Sequence, residues 1–215
     1  MLKLFPDSID RLAEERGIVD GPKPLWLSGG GVEDDDHQII GFLGKGGSGK
    51  IDFGAKHAII VRDDAARVRL RESIGDNGLV LTIFEVRHIS LLPQSQADVL
   101  DFQSKGLEFD SVLIYNFAAD STCSQASWRV LANAFDPANT TPGFDPRAHY
   151  QLKLELQSLY VAVTRARKNA WFFDAAGTEL RNFLSSGNVI QIHDSRDALP
   201  SLGGESHSTS REGDC

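Results

Sequence analysis

Short apolar runs alternate with polar and amphipathic stretches through most of this chain. Four of these runs have the length of strands: Ala58–Val61, Leu79–Phe84, Val112–Tyr115 and Ala170–Phe173. Val189–Ile192 is a candidate fifth strand, and Pro24–Leu27 is predicted to be extended. Strands that are apolar throughout are typical of parallel sheets covered on both faces. The pattern therefore predicts an α/β fold with a mainly parallel sheet.

Two helices are predicted between these strands. Asp63 and Asp64 are candidate caps for a helix that runs to about Ile74. The helix before Ala170–Phe173 has the clearest pattern, because apolar residues recur in it at spacings of four, three and four. They form one apolar stripe along the helix: Leu152, Leu156, Leu159 and Val163.

Composition and charge narrow the class of protein. The 215 residues are 41% hydrophobic and 24% charged, as expected for one globular domain with a tail. The net charge of −8 argues against a stand-alone basic binder of nucleic acid. Cys123 and Cys215 are too few for a disulfide framework, and no apolar run is long enough for a membrane helix. We expect an intracellular protein of the nucleus or cytoplasm.

A glycine-rich segment, Gly44–Lys50, matches the first seven positions of a phosphate-binding P-loop. The eighth position is Ile51, where a P-loop has the serine or threonine that holds Mg²⁺. The residues that follow lead into a strand, whereas a P-loop opens a helix. We interpret the segment as a solvated linker, and a small P-loop kinase is the disfavoured alternative.

Two short strings about fifty residues apart carry the most specific signal: Ser104-Lys-Gly-Leu-Glu-Phe-Asp110 and Leu159-Tyr-Val-Ala-Val-Thr-Arg-Ala-Arg167. They resemble motifs V and VI of UvrD/Rep-type superfamily 1 helicases. Further segments resemble a branch in which UvrD-like helicase domains are sometimes joined to tetratricopeptide or ankyrin repeats: Phe5–Leu12, Glu15–Pro24, Phe53–Asp64 and Asp110–Ser121. The resemblance covers roughly residues 4–194.

The resemblance implies a fold, a function and partners. The fold would be the second RecA-like domain of a motor, a P-loop NTPase-type parallel sheet with helices on both faces that lacks the P-loop itself. The function would be that of the C-terminal motor domain of an ATP-dependent helicase or translocase. Its cofactor would be ATP with Mg²⁺, the metal being held by the missing N-terminal motor domain. Single-stranded or duplex nucleic acid and that N-terminal domain would be the partners, and no membrane is implied.

Arg165, expected in the last turn of the helix before Ala170–Phe173, is the candidate catalytic residue. The resemblance implies an arginine finger that completes the ATP site on domain closure, a role worth about 10³–10⁵ in rate in known systems. Such a role needs a cation that never deprotonates. The alternative is a cation favoured near a helix C-terminus by the backbone dipole, worth about 0.3–1 kcal/mol. Arg167 is expected to be a supporting surface cation.

Four other residues receive roles from the resemblance. Gly106 and Glu108 are the candidate ATP-binding residues. A glycine lets the backbone approach the phosphates, and the Glu108 carboxylate would accept a hydrogen bond from the ribose hydroxyls or help to align the groove for the nucleic-acid strand. Thr82 and Lys105 are the candidate nucleic-acid-binding residues. No metal ligand is assigned. The alternative for the first string is a turn with ordinary charges before the strand Val112–Tyr115.

Departures from the family pattern leave a second function open. The P-loop, the Mg²⁺-binding acids and motif IV are expected upstream of Met1, so the isolated chain is not expected to hydrolyse ATP. The alternative is a catalytically inactive fragment or a protein-interaction module that retains the helicase fold. The negative net charge and the missing P-loop favour this alternative for the chain alone.

The expected domain organisation has three parts. Residues 1–50 form a connecting segment with glycine-rich breaks, 51–194 the RecA-like helicase C-terminal domain, and 195–215 a disordered tail. Residues 86–103 are an insertion of eighteen residues, and its removal joins Thr-Ile-Phe-Glu85 directly to Ser104-Lys-Gly-Leu-Glu-Phe. The hypothesis is a retained intron, and a genuine surface loop is the alternative.

Overall fold

A computed structural model describes residues 21–28, 57–75, 79–87, 108–131, 145 and 147–194. Several sequence predictions lie outside these residues. They concern the glycine-rich segment Gly44–Lys50, the candidate site residues Lys105 and Gly106, most of the insertion 86–103, and the tail 195–215.

The described strands form one sheet of six in the order β3-β2-β4-β5-β1-β6. Every pair of neighbouring strands is parallel. The strands are β1 Leu25–Ser28, β2 His57–Val61, β3 Leu79–Thr82, β4 Phe109–Tyr115, β5 Ala166–Phe173 and β6 Gln191–Asp194. The predicted α/β fold with a parallel sheet is confirmed.

Five helices connect or follow these strands in the described part of the chain. They are α1 Asp64–Ile74, α2 Ile83–Arg87, α3 Gln125–Arg129, α4 Tyr150–Val163 and α5 Thr178–Ser186. Of these, α1 and α4 are the two that the sequence pattern predicts, and the other three are not predicted. The signal for α5 was present, because Leu180, Phe183 and Leu184 recur at helical spacing and are buried. No helix among the described residues has the length and apolarity to cross a membrane.

Local chemistry sets both ends of α1. The Asp63 side chain accepts a hydrogen bond from the Ala66 N–H at 2.9 Å, which satisfies an otherwise orphan donor of the first turn. Gly75 ends the helix with φ 67°, a conformation that glycine adopts without steric cost, and its N–H donates to the Arg71 C=O at 2.8 Å. The predicted bounds of this helix are confirmed.

Side chains along β2 alternate between two cores. Ile59 and Val61 pack in the smaller core with the buried face of α1. Ala58 and Ile60 face the larger core, which also contains apolar residues of α4 and α5. Alternation is what a strand covered on both faces requires, because successive side chains point to opposite sides. Helices therefore cover both faces of the sheet.

The predicted stripe of α4 faces the larger core. Leu152, Leu156 and Leu159 are buried there, and the partly buried Val163 packs against them. Glu155 lies on the same side of the helix and is also buried. A carboxylate in this position needs a partner, which is found at the end of β2.

The strand predicted at Leu79–Phe84 is too long, since β3 ends at Thr82 and α2 begins at Ile83. The reason is a capping box. The Glu85 N–H donates to Thr82 Oγ1 at 3.2 Å, and Glu85 Oε2 accepts from the Thr82 N–H at 2.8 Å. Val86, the first residue of the insertion 86–103, is buried in the larger core. The intron hypothesis stays a prediction.

Three other boundaries are corrected. Arg165 lies in the turn after α4 and not in its last turn, because the helix ends at Val163 and β5 begins at Ala166. β5 is thus four residues longer at its start than the predicted Ala170–Phe173. β6 begins at Gln191, two residues later than predicted.

The extended segment predicted at Pro24–Leu27 is confirmed as β1, which lies between β5 and β6. The Trp26 indole stacks on the Phe172 ring with centroids 5.5 Å apart, which fixes the position of β1 beside β5. A segment expected to be connecting chain therefore contributes a strand to the sheet. The domain boundaries themselves stay a prediction.

Replacing Thr82 with alanine tests the capping box. Thr82→Ala removes the hydroxyl that receives the Glu85 N–H, so we expect a loss of about 1–2 kcal/mol in the free energy of unfolding. Thr178→Ala is the matched control, since Thr178 is exposed and α5 has no side-chain cap. Urea unfolding of both variants measures the difference. Equal losses would show that Thr82 does not cap α2.

Candidate functional site

A parallel sheet has one end where all strands begin and another where they all finish. Ligands of open α/β sheets bind outside the carboxyl ends of the strands. Glu108 directly precedes β4 and Arg165 directly precedes β5, so both lie at the amino end. Thr82 is the last residue of β3 and lies at the carboxyl end. The structure therefore divides the sequence-predicted residues between opposite ends of the sheet.

At the amino end, the backbone joins the two motif strings. The Phe109 N–H donates to the Arg165 C=O at 2.7 Å, which holds the start of β4 against the start of β5. Arg165 is partly buried, and its Nε donates to the Val161 C=O at 3.3 Å. A cation bound to a carbonyl of the last helical turn is the arrangement that the helix dipole favours. The finger role of Arg165 stays a prediction.

Two ion pairs lie at the same end of the sheet. Arg167 Nε is 3.9 Å from Glu108 Oε2, and Lys168 Nζ is 3.2 Å from Asp110 Oδ2. Arg167, Lys168 and Glu108 are exposed, and exposed pairs contribute at most about 1 kcal/mol each. The expectation that Arg167 is a surface cation agrees with this position. The nucleotide role of Glu108 stays a prediction.

The candidate nucleic-acid contact at Thr82 has a different environment. Thr82 is 4% exposed, and its Oγ1 lies 3.1 Å from Glu85 Oε2 within the capping box. Glu85 also accepts from Arg67 at 2.8 Å, which joins α1 to α2. The contact between Thr82 and nucleic acid stays a prediction.

A buried ion pair dominates the carboxyl end. Arg62 follows β2, and its two terminal guanidinium nitrogens each donate to one carboxylate oxygen of Glu155 on α4. The Glu155 side chain is 2% exposed and that of Arg62 17%. The Arg62 guanidinium carbon also lies 5.6 Å from the centroid of the Phe117 ring. This bidentate geometry is the strongest form of arginine–carboxylate pairing.

Asp174 ties together the loops that follow β4 and β5. Its carboxylate accepts hydrogen bonds from the backbone N–H groups of Ala118, Ala119 and Ala176. Burial raises the pKa of Asp174 to about 6, and nearby Asp120 acts in the same direction, while the three N–H donors lower the pKa. A carboxyl group with a pKa in this range is a candidate functional group when it lies at the carboxyl end of a parallel sheet.

Asn116 completes the connection between these loops. Its φ of 47° lies in the left-handed region, which asparagine tolerates better than most residues. The Asn116 N–H donates to the Phe173 C=O at 2.7 Å, and its Oδ1 accepts from the Ala175 N–H at 3.0 Å. The chain leaving β4 is therefore fixed to the end of β5.

Three arginines near the carboxyl end pair with carboxylates of the same chain. Arg62 binds Glu155, Arg67 binds Glu85 and Asp64, and Arg69 binds Asp120. Burial raises the pKa of Asp120, while Arg69 acts in the opposite direction. This set of pairs holds loops and helices together. In the residues that the structure describes, no group of three or more histidine, cysteine, aspartate or glutamate side chains is arranged to hold a metal ion.

Comparison with known proteins finds a similarity to a repeat-containing protein. No family model matches the chain. The chain is 34% identical over 196 residues to the human TPR and ankyrin repeat-containing protein 1. The similarity covers 79% of this chain and 6% of the human protein, so the chain spans a small fraction of that relative.

This similarity corrects the function expected from the motif strings. The human relative is named for its tetratricopeptide and ankyrin repeats, and that name indicates no helicase, ATP-binding or hydrolase function. The expected membership of the UvrD/Rep-type helicases is therefore wrong, as is the helicase motor function that the resemblance implied. The ATP cofactor and the nucleic-acid partner stay predictions. The finding fits the alternative, a protein-interaction module, better.

Breaking the Arg62–Glu155 pair tests its structural importance. Arg62→Met leaves a buried carboxylate without its partner, so we expect the free energy of unfolding to fall by about 3–5 kcal/mol. Arg167→Met is the matched control, because it removes a cation from an exposed pair and should cost less than about 1 kcal/mol. Adding Glu155→Leu to Arg62→Met should recover most of the loss. Equal effects of the two arginine substitutions in urea unfolding would contradict the assignment.

Asp174 gives the fold a defined pH dependence. A folded-state pKa of about 6, against an ordinary value of 3.8, means that the folded chain binds more protons between these pH values than the unfolded chain. The contribution of Asp174 to stability is therefore present below pH 4 and is lost as the pH rises through 6. We expect unfolding free energies to fall by at most about 3 kcal/mol over this window.

The pH dependence is measured by comparing the native chain with Asp174→Asn, which does not titrate. We expect the fall between pH 4 and 6 to be smaller in this variant. The same pH dependence in both proteins would contradict the role assigned to Asp174.

Proposed function

We propose that this chain is a protein-interaction module that keeps an α/β sheet and has no catalytic activity of its own. The observation that carries the proposal is the 34% identity to a repeat-containing protein over 79% of the chain. Repeat proteins stack small units into extended surfaces that bind other proteins. The chain would serve such a protein as a compact module beside its repeats.

The chemistry of the carboxyl end supports this proposal. Three of the four arginines that follow β2 up to the end of α1, Arg62, Arg67 and Arg69, are each engaged by a carboxylate of the same chain. A phosphate group would have to compete with these carboxylates for its contacts. The net charge of −8 further disfavours binding to a nucleic-acid backbone. Protein surfaces, which are less charged, are the better match.

The finer fold is also part of this proposal. The strands β2 and β4 are neighbours in the sheet. The chain leaves β2 toward β3 on one side of this pair, and it leaves β4 toward β5 on the opposite side. Connections that leave neighbouring strands in opposite directions are typical of doubly wound sheets. This order supports a RecA-like sheet that has kept its architecture without the nucleotide chemistry. A shared fold does not imply a shared function.

A binding assay with the purified chain tests the proposed function. A partner is first identified by proximity labelling in cells, and its binding to the purified chain is then measured by calorimetry. We expect saturable binding that Mg²⁺–ATP leaves unchanged, because the account gives nucleotide no part in it. Arg165→Ala should bind the partner as the native chain does. Hydrolysis of ATP by the chain, abolished in Arg165→Ala, would contradict the proposal.

A further inference from the structure

β6 is the outermost strand on one side of the sheet that the described residues form. It pairs in parallel with β1 along all four of its residues, and the described residues place no strand on its other side. The register runs from Gln191 beside Leu25 to Asp194 beside Ser28 without a bulge. A strand in this position offers a row of backbone N–H and C=O groups to a further strand.

The pairing with β1 shows which of these groups point outward. The Gln191 N–H donates to the Pro24 C=O at 2.9 Å, so the backbone polar groups of Gln191 face β1. Successive residues of a strand direct these groups to alternate sides. Those of His193 therefore also face β1, and those of Ile192 and Asp194 face away from the sheet.

Two apolar side chains at this flank are exposed. Ile192 is 49% exposed, and Val189, just before β6, is 47% exposed. Natural edge strands are commonly protected by lysine, proline or a bulge. The sequence Gln191-Ile-His-Asp194 contains neither of these residue types, and its pairing with β1 is regular. β6 therefore lacks lysine, proline and a bulge, three features that commonly prevent an edge strand from pairing with a further strand.

The strand at the opposite side of the sheet differs. Val80, Leu81 and Thr82 of β3 are all buried, so side chains on both of its faces are shielded from solvent. In β6, Gln191 and Ile192 are neighbours and both are exposed, although they point to opposite faces. Of the two outer strands of the described sheet, β6 is the accessible one.

The chemistry of the flank selects the kind of partner. An alternating row of backbone donors and acceptors is matched by an extended chain, whereas a helix uses its own backbone groups internally. A second copy of this chain is disfavoured, because each copy carries a net charge of −8. The same negative charge favours a partner segment that contains lysine or arginine.

We propose that β6 is the docking edge of the module and that it binds an extended, basic segment of another protein as a seventh strand. The backbone of that segment would pair with Ile192 and Asp194. Its apolar side chains would cover Ile192 and Val189, and basic side chains would alternate with them. This inference rests on the proposed interaction function and specifies the surface and the partner class.

The probe is an eight-residue peptide of alternating valine and lysine with blocked ends, titrated into the full chain labelled with ¹⁵N. We expect saturable shifts of the Ile192 and Asp194 amide signals and at least tenfold slower hydrogen exchange at both amides. A peptide of alternating valine and glutamate should bind at least fivefold more weakly. Two further valine–lysine peptides carry N-methyl groups on every second backbone nitrogen, one on the odd and one on the even positions. The peptide whose methylated nitrogens face β6 should lose binding, because it cannot donate hydrogen bonds to that strand.

Ile192→Lys places a protective charge on the edge and should weaken binding of the valine–lysine peptide at least tenfold. Val68→Lys is the matched control, because Val68 is 57% exposed on α1, away from β6. It should bind the peptide as the native chain does. Equal binding by the two variants would overturn the proposal, as would peptide shifts that map to other residues.

Further outcomes separate the possible occupants. If the Ile192 and Asp194 amides are already protected in the dilute free chain, the edge is occupied by the chain itself and the proposal fails. Self-association that Ile192→Lys abolishes would assign the edge to a second copy and would also overturn it. If a purified protein partner binds the native chain and Ile192→Lys equally, the interaction function stands and the docking edge fails. ATP hydrolysis would instead contradict the function without affecting the peptide result.

Discussion

The pairing of Arg62 with Glu155 is the constraint on which the rest of this structure depends. Glu155 lies among the apolar residues of α4 and is 2% exposed, so its charge has lost nearly all contact with water. A buried carboxylate is costly unless a cation and hydrogen bonds replace its hydration. Arg62 supplies both, and its position between β2 and the cap of α1 fixes that junction to α4. One ion pair thus joins the strand, the helix on one face and the helix on the other.

The same pairing explains how the fold relates to function. The carboxyl end of a parallel sheet is the usual place for a ligand, because loops converge there beside polar backbone groups. Here the loops are held to one another by Asp174 and Asn116, and the nearby arginines are held by carboxylates. A site arranged in this way stabilises the fold. Binding is then expected at surfaces that the sheet leaves open, and β6 is the clearest of these among the described residues.

Local sequence signals predicted the elements whose ends are determined locally. The bounds of α1 follow from Asp63 and Gly75, and the stripe of α4 follows from four apolar residues. The end of β3 was predicted wrongly because the apolar run continues into α2, although the Thr82-x-x-Glu85 pattern was a readable signal for the cap. The start of β5 was missed because Arg167 and Lys168 are exposed, so hydrophobicity marks only the buried half of that strand.

Features that depend on residues far apart in the sequence could not be predicted from the sequence pattern. Arg62 and Glu155 are 93 residues apart, and each is unremarkable in its local segment, although a glutamate on the apolar side of a helix is a hint. The insertion of β1 between β5 and β6 likewise depends on tertiary packing. Resemblance of short strings gave a family that the wider similarity did not support. A shared motif or fold does not by itself imply a shared function.

The most direct test of this account is to follow the guanidinium signals of Arg62 by ¹⁵N NMR while Mg²⁺ and a non-hydrolysable ATP analogue are added to the chain. The account predicts that these signals do not move, because both carboxylate oxygens of Glu155 already engage the guanidinium. Arg62 would act as part of the fold and not as a ligand-binding group. Saturable shifts of the Arg62 signals would contradict this claim and would make the carboxyl end of the sheet a nucleotide site.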